Sequence, residues 1–401
     1  MRVSIITHDM KYIQGSNRVT EKLILGKERF GAAGIVIDTV YTMDGKIPCD
    51  LYAPEMLGQT ELTDRYRKKR KIIEALKKIP LYNSKPGHLW SVNKSLKADR
   101  AAANEAAVRK ETEVDCFIVQ GFTVAYYYLK NRSQNDKAKT IMVLHSDTDP
   151  LEQLLLRKPK IAGTRKERQL RSMFEYSLRN VDAVVTICHS ETKYLKEKYD
   201  YDSVYITNGI DDINSERRPI SNDRFNLAIV ATVQARKGQD LLIDALSEMS
   251  AAQREKIMLH VIGGGTDFAR IKHLIEEKRL NDCCIMYGPR PDAANLLNGM
   301  DAFILPSRAD TTPIAVIEAL RAGLPVISTG VGEIPYMVQD AGIIIDPEVS
   351  SVKKAILDFV DGKYDLLKMS DAARRRFEQD YLLDAMVDKY AQLITNVCGN
   401  S

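Results

Sequence analysis

Short apolar runs of strand length alternate along the chain with segments of helical periodicity. The runs are continuous and rich in β-branched residues, which is typical of parallel strands buried on both faces. In the first half they read VSIITH, GIVIDTVY, CFIVQG, TIMVLHS, DAVVTIC and SVYITNG. After a polar stretch, INSERRPISNDRF, the alternation begins again with NLAIVAT, MLHVIGG, CCIMYG, DAFILPS, PVISTG and AGIIID. Two such sets predict two α/β domains, each built on a doubly wound parallel sheet.

The polar stretch is interpreted as the connection between the domains. We therefore predict a Rossmann-like N-terminal domain over residues 1–217 and a second Rossmann-like domain over residues 218–380. The remaining residues, 381–401, carry a helix with apolar positions at helical spacing, which is a candidate to pack back on the N-terminal domain. The stretch from about residue 50 to residue 108 breaks the alternation, because it is helix-rich and basic, and we interpret it as an insertion in the first domain.

Composition and charge exclude several classes of protein. The hydrophobic fraction of 44% and the charged fraction of 28% are those of an ordinary soluble protein, and a net charge of +4 is too small to indicate a nucleic-acid partner. The six cysteines form no C-x-x-C pair and have no nearby histidine at metal-ligand spacing, so neither a zinc site nor a disulfide framework is predicted. No apolar run reaches the roughly 18 residues of a membrane span, and the N-terminus does not have the pattern of a signal peptide. A cytoplasmic location is expected.

A dense basic segment, DRYRKKRKIIEALKKI, occupies residues 64–79. Its apolar positions and its basic face are compatible with an interfacial helix that lies on an anionic membrane. They are also compatible with a solvated surface helix that packs on its own domain, which is the interpretation we prefer. Both interpretations stay open, and the first would make the protein peripheral on the cytoplasmic face of the membrane.

Two carboxylates eight positions apart flank a predicted strand-to-helix junction in PSRADTTPIAVIEALRAG, residues 306–323. Pro313 suits the first turn of the helix because it has no N–H to leave unsatisfied, Thr312 is a plausible N-cap, and Gly323 ends the helix. The amides and the positive dipole at the helix start favour a phosphate, while Asp310 and Glu318 can accept hydrogen bonds from sugar hydroxyls. The unit fits a sugar nucleotide, although a generic turn with a surface Asp and a buried Glu has the same spacing.

The segment PSRADTTPIAVIEALRAGLPVISTGVGEIP resembles the E-x7-E signature of retaining glycosyltransferase family 4, here as D-x7-E. The stretches VYITNGID, QARKGQDLLIDAL, HVIGGG, CIMYG and MDAFILPS precede it in the order found in that family. The resemblance covers nearly all of the second domain, whereas VLHSDTDP and VVTICHSETKYL match loosely in the first and the insertion does not match. It implies the GT-B fold, which consists of two facing Rossmann-like domains, and a metal-independent transfer from a nucleotide sugar.

Carried over position by position, the resemblance implies a role for individual residues. Glu318 would accept hydrogen bonds from the ribose, and Asp310 would lie beside hydroxyls of the transferred sugar. Lys237 would contact the diphosphate as it leaves, and His145 would lie near the donor sugar and the reacting centre. The remaining implied donor-binding residues are Gly15, Ser16, Arg236, Thr312 and Ile314. The implied catalytic set is therefore His145, Lys237 and Asp310.

Two positions depart from the family pattern. Thr232 stands where many members carry an arginine five residues before the lysine, and Asp310 replaces a glutamate. A missing cation weakens the stabilisation of the leaving group, which is usually the largest catalytic contribution in such sites. The adjacent Arg236 is a candidate replacement.

Other motifs carry weaker signals. The DTD at residues 147–149 mimics the metal-binding D-x-D of another glycosyltransferase fold, which the strand pattern opposes. The remaining histidines show no spacing to triad partners, and we leave them as structural residues: His8, His88, His189, His260 and His273.

Together with the resemblance, the sequence predicts a hexosyltransferase, which the resemblance implies to be retaining and metal-independent. Its donor is expected to be a nucleotide-diphosphate sugar, in the first place a UDP-sugar, and its acceptor a hydroxyl of a glycan or a lipid-linked molecule in the synthesis of bacterial surface polysaccharide or glycoconjugates. The alternative is a non-catalytic subunit of the same fold that binds an acceptor or a partner for an active glycosyltransferase.

Overall fold

The computed structural model describes residues 1–8, 10, 16–51, 83–109, 113–213, 220 and 223–399. Gly15 and the basic segment at residues 64–79 lie outside these residues. Contacts divide the chain into two units, residues 1–207 with 383–401 and residues 208–382. The boundary that the sequence predicts, between residues 217 and 218, falls later in the chain than this division.

The first unit is a seven-stranded sheet covered by helices. Its strands are β1 (Arg2–Ile6), β2 (Val36–Thr42), β3 (Gly45–Pro48), β4 (Cys116–Gln120), β5 (Lys139–Val143), β6 (Ala183–Thr186) and β7 (Val204–Tyr205). Their order is β3-β2-β1-β4-β5-β6-β7, and all neighbours are parallel except β2 and β3. The helices are α1 (Ser16–Leu25), α2 (Lys27–Ala32), α3 (Lys85–Ala107), α4 (Phe122–Asn131), α5 (Glu152–Arg157), α6 (Arg165–Asn180) and α7 (His189–Tyr199).

The second unit is a six-stranded, all-parallel sheet. Its strands are β8 (Phe225–Val230), β9 (Ile257–Ile262), β10 (Cys284–Gly288), β11 (Ala302–Leu305), β12 (Val326–Thr329) and β13 (Gly342–Ile345), in the order β10-β9-β8-β11-β12-β13. Its helices are α8 (Gln239–Ser247), α9 (Ala251–Arg254), α10 (Phe268–Glu277), α11 (Ala293–Leu297), α12 (Ile314–Arg321), α13 (Ile334–Val338), α14 (Val349–Val360) and α15 (Leu366–Asp380). Two parallel-sheet α/β units confirm the predicted fold class.

The last helix, α16 (Leu383–Gly399), belongs to the first unit. Its side chains Met386, Val387 and Ile394 are buried in the same hydrophobic cluster as residues of β1 and β2. On the surface, the Arg29 guanidinium of α2 donates to both carboxylate oxygens of Asp388, each at 2.5 Å. Helix α16 is thus part of the core of the first unit, although it follows the second unit in the chain.

Helix α3 occupies the described end of the predicted insertion. It is the crossover between β3 and β4, and one side of it is buried against the first unit. An alanine-rich stripe allows close packing on the sheet and on α4. These residues therefore form a layer of the Rossmann-like unit itself.

Candidate functional site

In the second unit, the loops that follow the neighbouring strands β8 and β11 lie together. Because carboxyl ends of parallel strands share one edge of the sheet, this edge is where ligands of open α/β sheets bind. After β8 the chain forms a short 3₁₀ turn, Ala235–Lys237, and the amide of Arg308 in the second loop donates to the carbonyl of Arg236 at 2.7 Å. The Arg308 guanidinium also binds Asp240 at 2.8 and 3.0 Å. These bonds hold the two loops together.

The contact between these loops requires a glycine at position 238. Gly238 has a φ of +75°, and an added Cβ would lie 2.1 Å from the carbonyl oxygen of Pro306. No other residue combines that backbone conformation with so close an approach. The glycine of the RKG sequence therefore sets the position of Lys237 relative to the loop after β11.

Asp310 is the centre of a small charged cluster. Nζ of Lys237 contacts its Oδ2, and both side chains are only 10% exposed. The Ser307 hydroxyl donates to the same oxygen at 3.2 Å, and NH1 of Arg236 lies 3.5 Å from Oδ1. Two cations against one carboxylate leave a net positive charge, which suits an anionic ligand.

The electrostatics of Lys237 are a balance of burial and pairing. Burial lowers the pKa of Lys237, Asp310 opposes this change and Arg236 adds to it, with a net lowering. A buried ammonium needs a partner, since removing an ion from water costs on the order of several kcal/mol even after the protein relaxes. Asp310 supplies that partner within the described residues.

The helix that follows, α12, begins one residue later than the sequence predicts. Pro313 is the N-cap, with φ −70° and ψ 116°, and no side chain caps the helix. Because this ψ is extended, helical geometry starts at Ile314, and the expected N-cap role of Thr312 is wrong. The first hydrogen bond runs from the Val316 amide to the Pro313 carbonyl at 3.0 Å, so the amides of Ile314 and Ala315 precede it. At the other end Gly323 has φ +64°, as expected of a residue that ends a helix.

A glycine that the sequence analysis did not single out supports the Asp310 loop. Gly332 has φ +57°, and an added Cβ would lie 2.4 Å from the carbonyl oxygen of Asp310. The next amide, that of Glu333, donates to the Thr311 carbonyl at 2.8 Å. The signal was present in the GVGEIP segment, whose two glycines indicate a close backbone approach.

The two acids of the D-x7-E motif have different surroundings. Asp310 lies with Lys237 and Arg236, whereas Glu318 is half-buried on α12 and interacts electrostatically with Arg321. Burial lowers the pKa of Arg321, and Glu318 opposes this change. The Arg321 guanidinium donates to the Asp211 carbonyl at 2.9 Å, which ties Asp211 to α12. Sequence reasoning did not assign this structural role.

At position 232, where many family members carry an arginine, the backbone makes the described hydrogen bond. The carbonyl of Thr232 accepts a hydrogen bond from the Gln239 side chain at 3.2 Å. Arg236, which is 40% exposed, instead directs its guanidinium towards Asp310 and the Ala309 carbonyl. A cation is therefore present at the cluster, although it comes from a different position in the chain.

In the first unit, His145 follows β5 and lies beside Gln120 at the end of β4. The His145 Nε2 to Gln120 Oε1 distance is 2.6 Å, and burial lowers the pKa of His145 to about 4. The ring is therefore neutral at pH 7. With Nε2–H donating to Gln120, the lone pair is on Nδ1. Gln120 is 6% exposed, and its Nε2 has no hydrogen-bond partner among the described residues.

The neighbouring residue, Ser146, donates its hydroxyl to Glu191, which is fully buried at the start of α7. Burial raises the pKa of Glu191 well above its usual range, and the bonds from Ser146 only partly oppose this change. Ser16 is the first residue of α1. These positions lie at or near the carboxyl edge of the first sheet.

Neither the DTD sequence nor any other described cluster is arranged for a metal. Asp149 accepts from Arg171 at 2.8 Å and from the Leu151 amide at 2.9 Å. Within the described ranges, no group of three or more His, Cys, Asp or Glu side chains could hold a metal ion. The same residues include no helix long and apolar enough to cross a membrane.

Most of the second unit is similar to a known protein family. Residues 211–376 match the family described as glycosyl transferases group 1. The O-antigen chain mannosyltransferase C of Escherichia coli is 24% identical over 304 residues, 69% of this chain and 74% of its own length. The amylovoran biosynthesis glycosyltransferase AmsK of Erwinia amylovora is 26% identical over 192 residues, 42% of this chain and 47% of its own length. WcaL of Salmonella typhimurium is likewise matched over only 44% of its length.

Solved structures extend the likeness to the whole chain. Sucrose-phosphate synthase of Thermosynechococcus elongatus has a TM-score of 0.71 and 18% identity over 100% of both chains. HepE of Anabaena, in complex with UDP, has a TM-score of 0.67 and 13% identity over 98% of this chain and 99% of its own. At such identities the likeness concerns the fold, which is GT-B. Together these matches support a place for the chain in the GT-B glycosyltransferase superfamily, with residues 211–376 as the part that matches the glycosyl transferases group 1 family.

Proposed function

We propose that the chain is a retaining glycosyltransferase that moves a hexose from a UDP-sugar to a hydroxyl of a glycan or lipid-linked acceptor, without a bound metal. The observation that carries this proposal is the buried pair of Lys237 and Asp310, with Arg236 beside it. Asp310 lies four residues before the start of α12. Relatives named for O-antigen and amylovoran synthesis favour a role in bacterial surface polysaccharide or glycoconjugate synthesis. The complex of HepE with UDP favours UDP as the nucleotide.

In this proposal the second unit binds the nucleotide sugar and the first unit binds the acceptor. The pyrophosphate lies at the amides of Thr312 and Ile314, where the helix dipole is positive. Lys237 and Arg236 offset the negative charge that develops on the diphosphate as the bond to the sugar breaks. The proposal needs no new cation, because the cluster already has one more positive than negative side chain.

The carboxylates recognise the two sugars of the donor. Glu318 accepts hydrogen bonds from the ribose, and Asp310 accepts from hydroxyls of the hexose while Lys237 and Ser307 hold it in place. His145 is neutral at pH 7 and offers the lone pair of Nδ1 to a hydroxyl of the donor sugar. Gly15 and Ser16 stay proposed donor-binding residues, as the resemblance implies. The acceptor oxygen attacks on the face that the diphosphate leaves, so the anomeric configuration is retained.

The alternative, a non-catalytic subunit that binds an acceptor or a partner for an active transferase, rests on Thr232 and on the shortened acid at position 310. The contact between Arg236 and Asp310 favours the enzyme, because it places a second cation at the cluster despite the substitution at position 232.

Calorimetric titration with UDP, followed by assays of UDP release from a panel of UDP-sugars, tests the proposal. Lys237→Ala should lower turnover by about 10²-fold or more with a smaller effect on UDP affinity, since it removes stabilisation of the leaving group. Glu318→Ala should weaken UDP binding by about 10-fold, because the ribose hydroxyls lose their hydrogen bonds to a charged acceptor. Activity should persist in the presence of EDTA.

Matched controls are available on α10, where Lys272 and Glu277 are exposed. Lys272→Ala and Glu277→Ala should leave both assays unchanged. Absence of UDP binding by the parent protein would favour the non-catalytic alternative. Parental behaviour of both site variants would show that the donor binds elsewhere.

A further inference from the structure

Two of the six cysteines lie together in the first unit. Cys116 is the first residue of β4, a strand inside the sheet, and it is fully buried. Cys398, in the last turn of α16, is half-buried and packs on the hydrophobic cluster that contains Cys116. Its Sγ lies 3.9 Å from the carbonyl oxygen of Asp115, the residue before Cys116, and the two thiols are hydrogen-bonded to each other. The fold therefore brings together two cysteines that are far apart in the chain.

Both cysteines are reduced in this structure, and they differ in access. The Cys116 side chain is enclosed by the core, whereas Cys398 keeps contact with solvent. The other four cysteines of the chain are buried, namely Cys49, Cys188, Cys283 and Cys284. A reagent in solution therefore reaches Cys398 before any other cysteine.

The surroundings of the pair favour a thiolate on Cys398. Lys139 is the register partner of Cys116 on β5, and its Nζ lies 3.3 Å from Oδ1 of Asp182. The hydrogen bond from Cys116 and the charge of Lys139 lower the pKa of Cys398, against the opposing effects of burial, Asp115 and Asp182. The same hydrogen bond and its own burial raise the pKa of Cys116. Because the thiolate is the nucleophilic form, the half-buried sulfur is the nucleophile and the buried one keeps its proton.

We propose that Cys398 is a site of thiol–disulfide exchange with low-molecular-weight disulfides, and that Cys116 is its resolving thiol. This inference does not depend on the proposed function. In the first step the Cys398 thiolate bonds to one sulfur of the small disulfide, whose S–S bond breaks, and the electron pair leaves on the other sulfur as a thiolate. A mixed disulfide on Cys398 is the product of this step.

In the second step the sulfur of Cys116 bonds to Sγ of Cys398. The bond between Cys398 and the remaining half of the small molecule breaks, that half leaves as a thiolate, and the proton of Cys116 goes to it. Two protein thiols are thereby oxidised to one disulfide, and the small disulfide is reduced to two thiols.

The new bond would join the end of α16 to an inner strand of the sheet. The chain reaches α16 only after passing through the whole second unit, so the disulfide would close a loop that contains that unit. A cross-link that closes a long loop removes much conformational freedom from the unfolded chain. Oxidation is therefore expected to stabilise α16 in its place in the core of the first unit.

The test uses the full chain, reduced and then exposed to oxidised glutathione, with mass spectrometry of its peptides under non-reducing conditions. The parent should yield two peptides linked through Cys116 and Cys398, with no glutathione retained. Cys116→Ala should stop at the mixed disulfide and keep one glutathione on Cys398. Cys116→Ser is measured beside it and should do the same, and circular dichroism shows which of the two variants is folded.

Two other variants test which thiol reacts first. Cys398→Ser should react with oxidised glutathione at least about 10-fold more slowly than the parent, because the remaining thiols are buried. Cys49→Ser removes a buried cysteine of the same unit and should react as the parent does. The oxidised parent should melt about 4 °C or more above the reduced parent, and dithiothreitol should reverse the difference. Cys398→Ser should show no such shift.

Each outcome decides one part of the proposal. A linked pair in the parent, with a retained glutathione in the folded Cys116 variant, supports both assignments. Glutathione that stays on Cys398 of the parent overturns the resolving role of Cys116. Equal reaction rates for the parent and Cys398→Ser, or a dominant link between other cysteines, overturn the assignment of Cys398. An unchanged melting temperature after complete linkage overturns the expected stabilisation of α16.

Discussion

Replacement of Asp310 by asparagine tests the charged cluster of the second unit without reference to any ligand. The variant removes the negative charge that faces Lys237 while it keeps the size of the side chain and one acceptor oxygen. Both partners are 10% exposed, so the pair is a buried one. Loss of one member of a buried pair typically costs about 3–5 kcal/mol, because the other charge is left uncompensated.

The cost here should be at the lower end, about 3 kcal/mol. Arg236 is 40% exposed and keeps solvent contact when its partner is lost, and Ser307 retains an acceptor. Lys237 also has a way to relieve the penalty, since burial already lowers its pKa and Asp310 opposes that change. Without Asp310 the pKa should fall further, and the ammonium can then lose its proton on folding.

The sign of the pH dependence follows. Where the folded-state pKa of a lysine is below its unfolded value of 10.5, the unfolded chain binds more protons, and the free energy of unfolding rises with pH up to about that value. In Asp310→Asn this rise should begin at a lower pH than in the parent. The deficit of the variant should therefore be largest near neutral pH and shrink as the solution becomes alkaline.

Urea unfolding followed by circular dichroism, in the absence of nucleotide, measures these free energies. A double-mutant cycle with Lys237→Met should give a coupling energy of about 2 kcal/mol between the two positions, and the double variant should be more stable than Asp310→Asn. Asp240→Asn, which breaks the more exposed pair with Arg308, is the matched control and should cost about 1 kcal/mol or less. A deficit below about 0.5 kcal/mol for Asp310→Asn, or no coupling, would show that the buried pair does not stabilise the unit.

Three further variants examine other features. Folding raises the pKa of Glu191, so the parent should lose stability as pH rises above about 4.5 and its melting temperature should fall. Glu191→Gln should flatten this fall, because it removes the ionising carboxyl. An unchanged pH profile would contradict this explanation. Gly238→Ala should lower the free energy of unfolding in urea by about 2–4 kcal/mol, since its Cβ would lie 2.1 Å from a backbone carbonyl oxygen. Its control is Gly362→Ala, which has φ +69° and open space around it and should lower that free energy by only about 1 kcal/mol. Gln120→Glu should raise the pKa of His145 above about 4 by one to three units, measured by proton NMR titration, and an unshifted ring would show that the two side chains are apart in solution.

The sequence identifies the buried parallel strands well, because a continuous β-branched run has few other interpretations. It does not reveal β3, whose four residues pair antiparallel with β2 at the sheet edge. The clue was the Asp44-Gly45 dipeptide, a hairpin signal, and Gly45 indeed has φ +120°. Short edge strands lack the buried pattern on which the prediction depends.

At the site, the sequence was sufficient to predict that Lys237 and Asp310 lie at the same edge of one sheet, because each follows a predicted parallel strand. The direction of Arg236 was not predictable, since a side chain in a short turn can face either way. The N-cap of α12 was misplaced by one residue because proline fixes φ but leaves ψ open, and the ψ of Pro313 is an extended 116°. The contact between His8 and Asp99, with Nδ1 and Oδ1 2.7 Å apart, left only one sign in the sequence, an acid within the apolar stripe of α3.

The place of α16 bears on how the chain folds as it leaves the ribosome. The core of the first unit includes Met386, Val387 and Ile394, which are translated after every residue of the second unit. The second unit is one continuous stretch, residues 208–382, so all of its contacts can form before the first unit is complete. The N-terminal sheet must therefore wait, with part of its apolar surface uncovered, through the synthesis of the whole following unit. Folding of the first unit can therefore finish only after α16 has been translated.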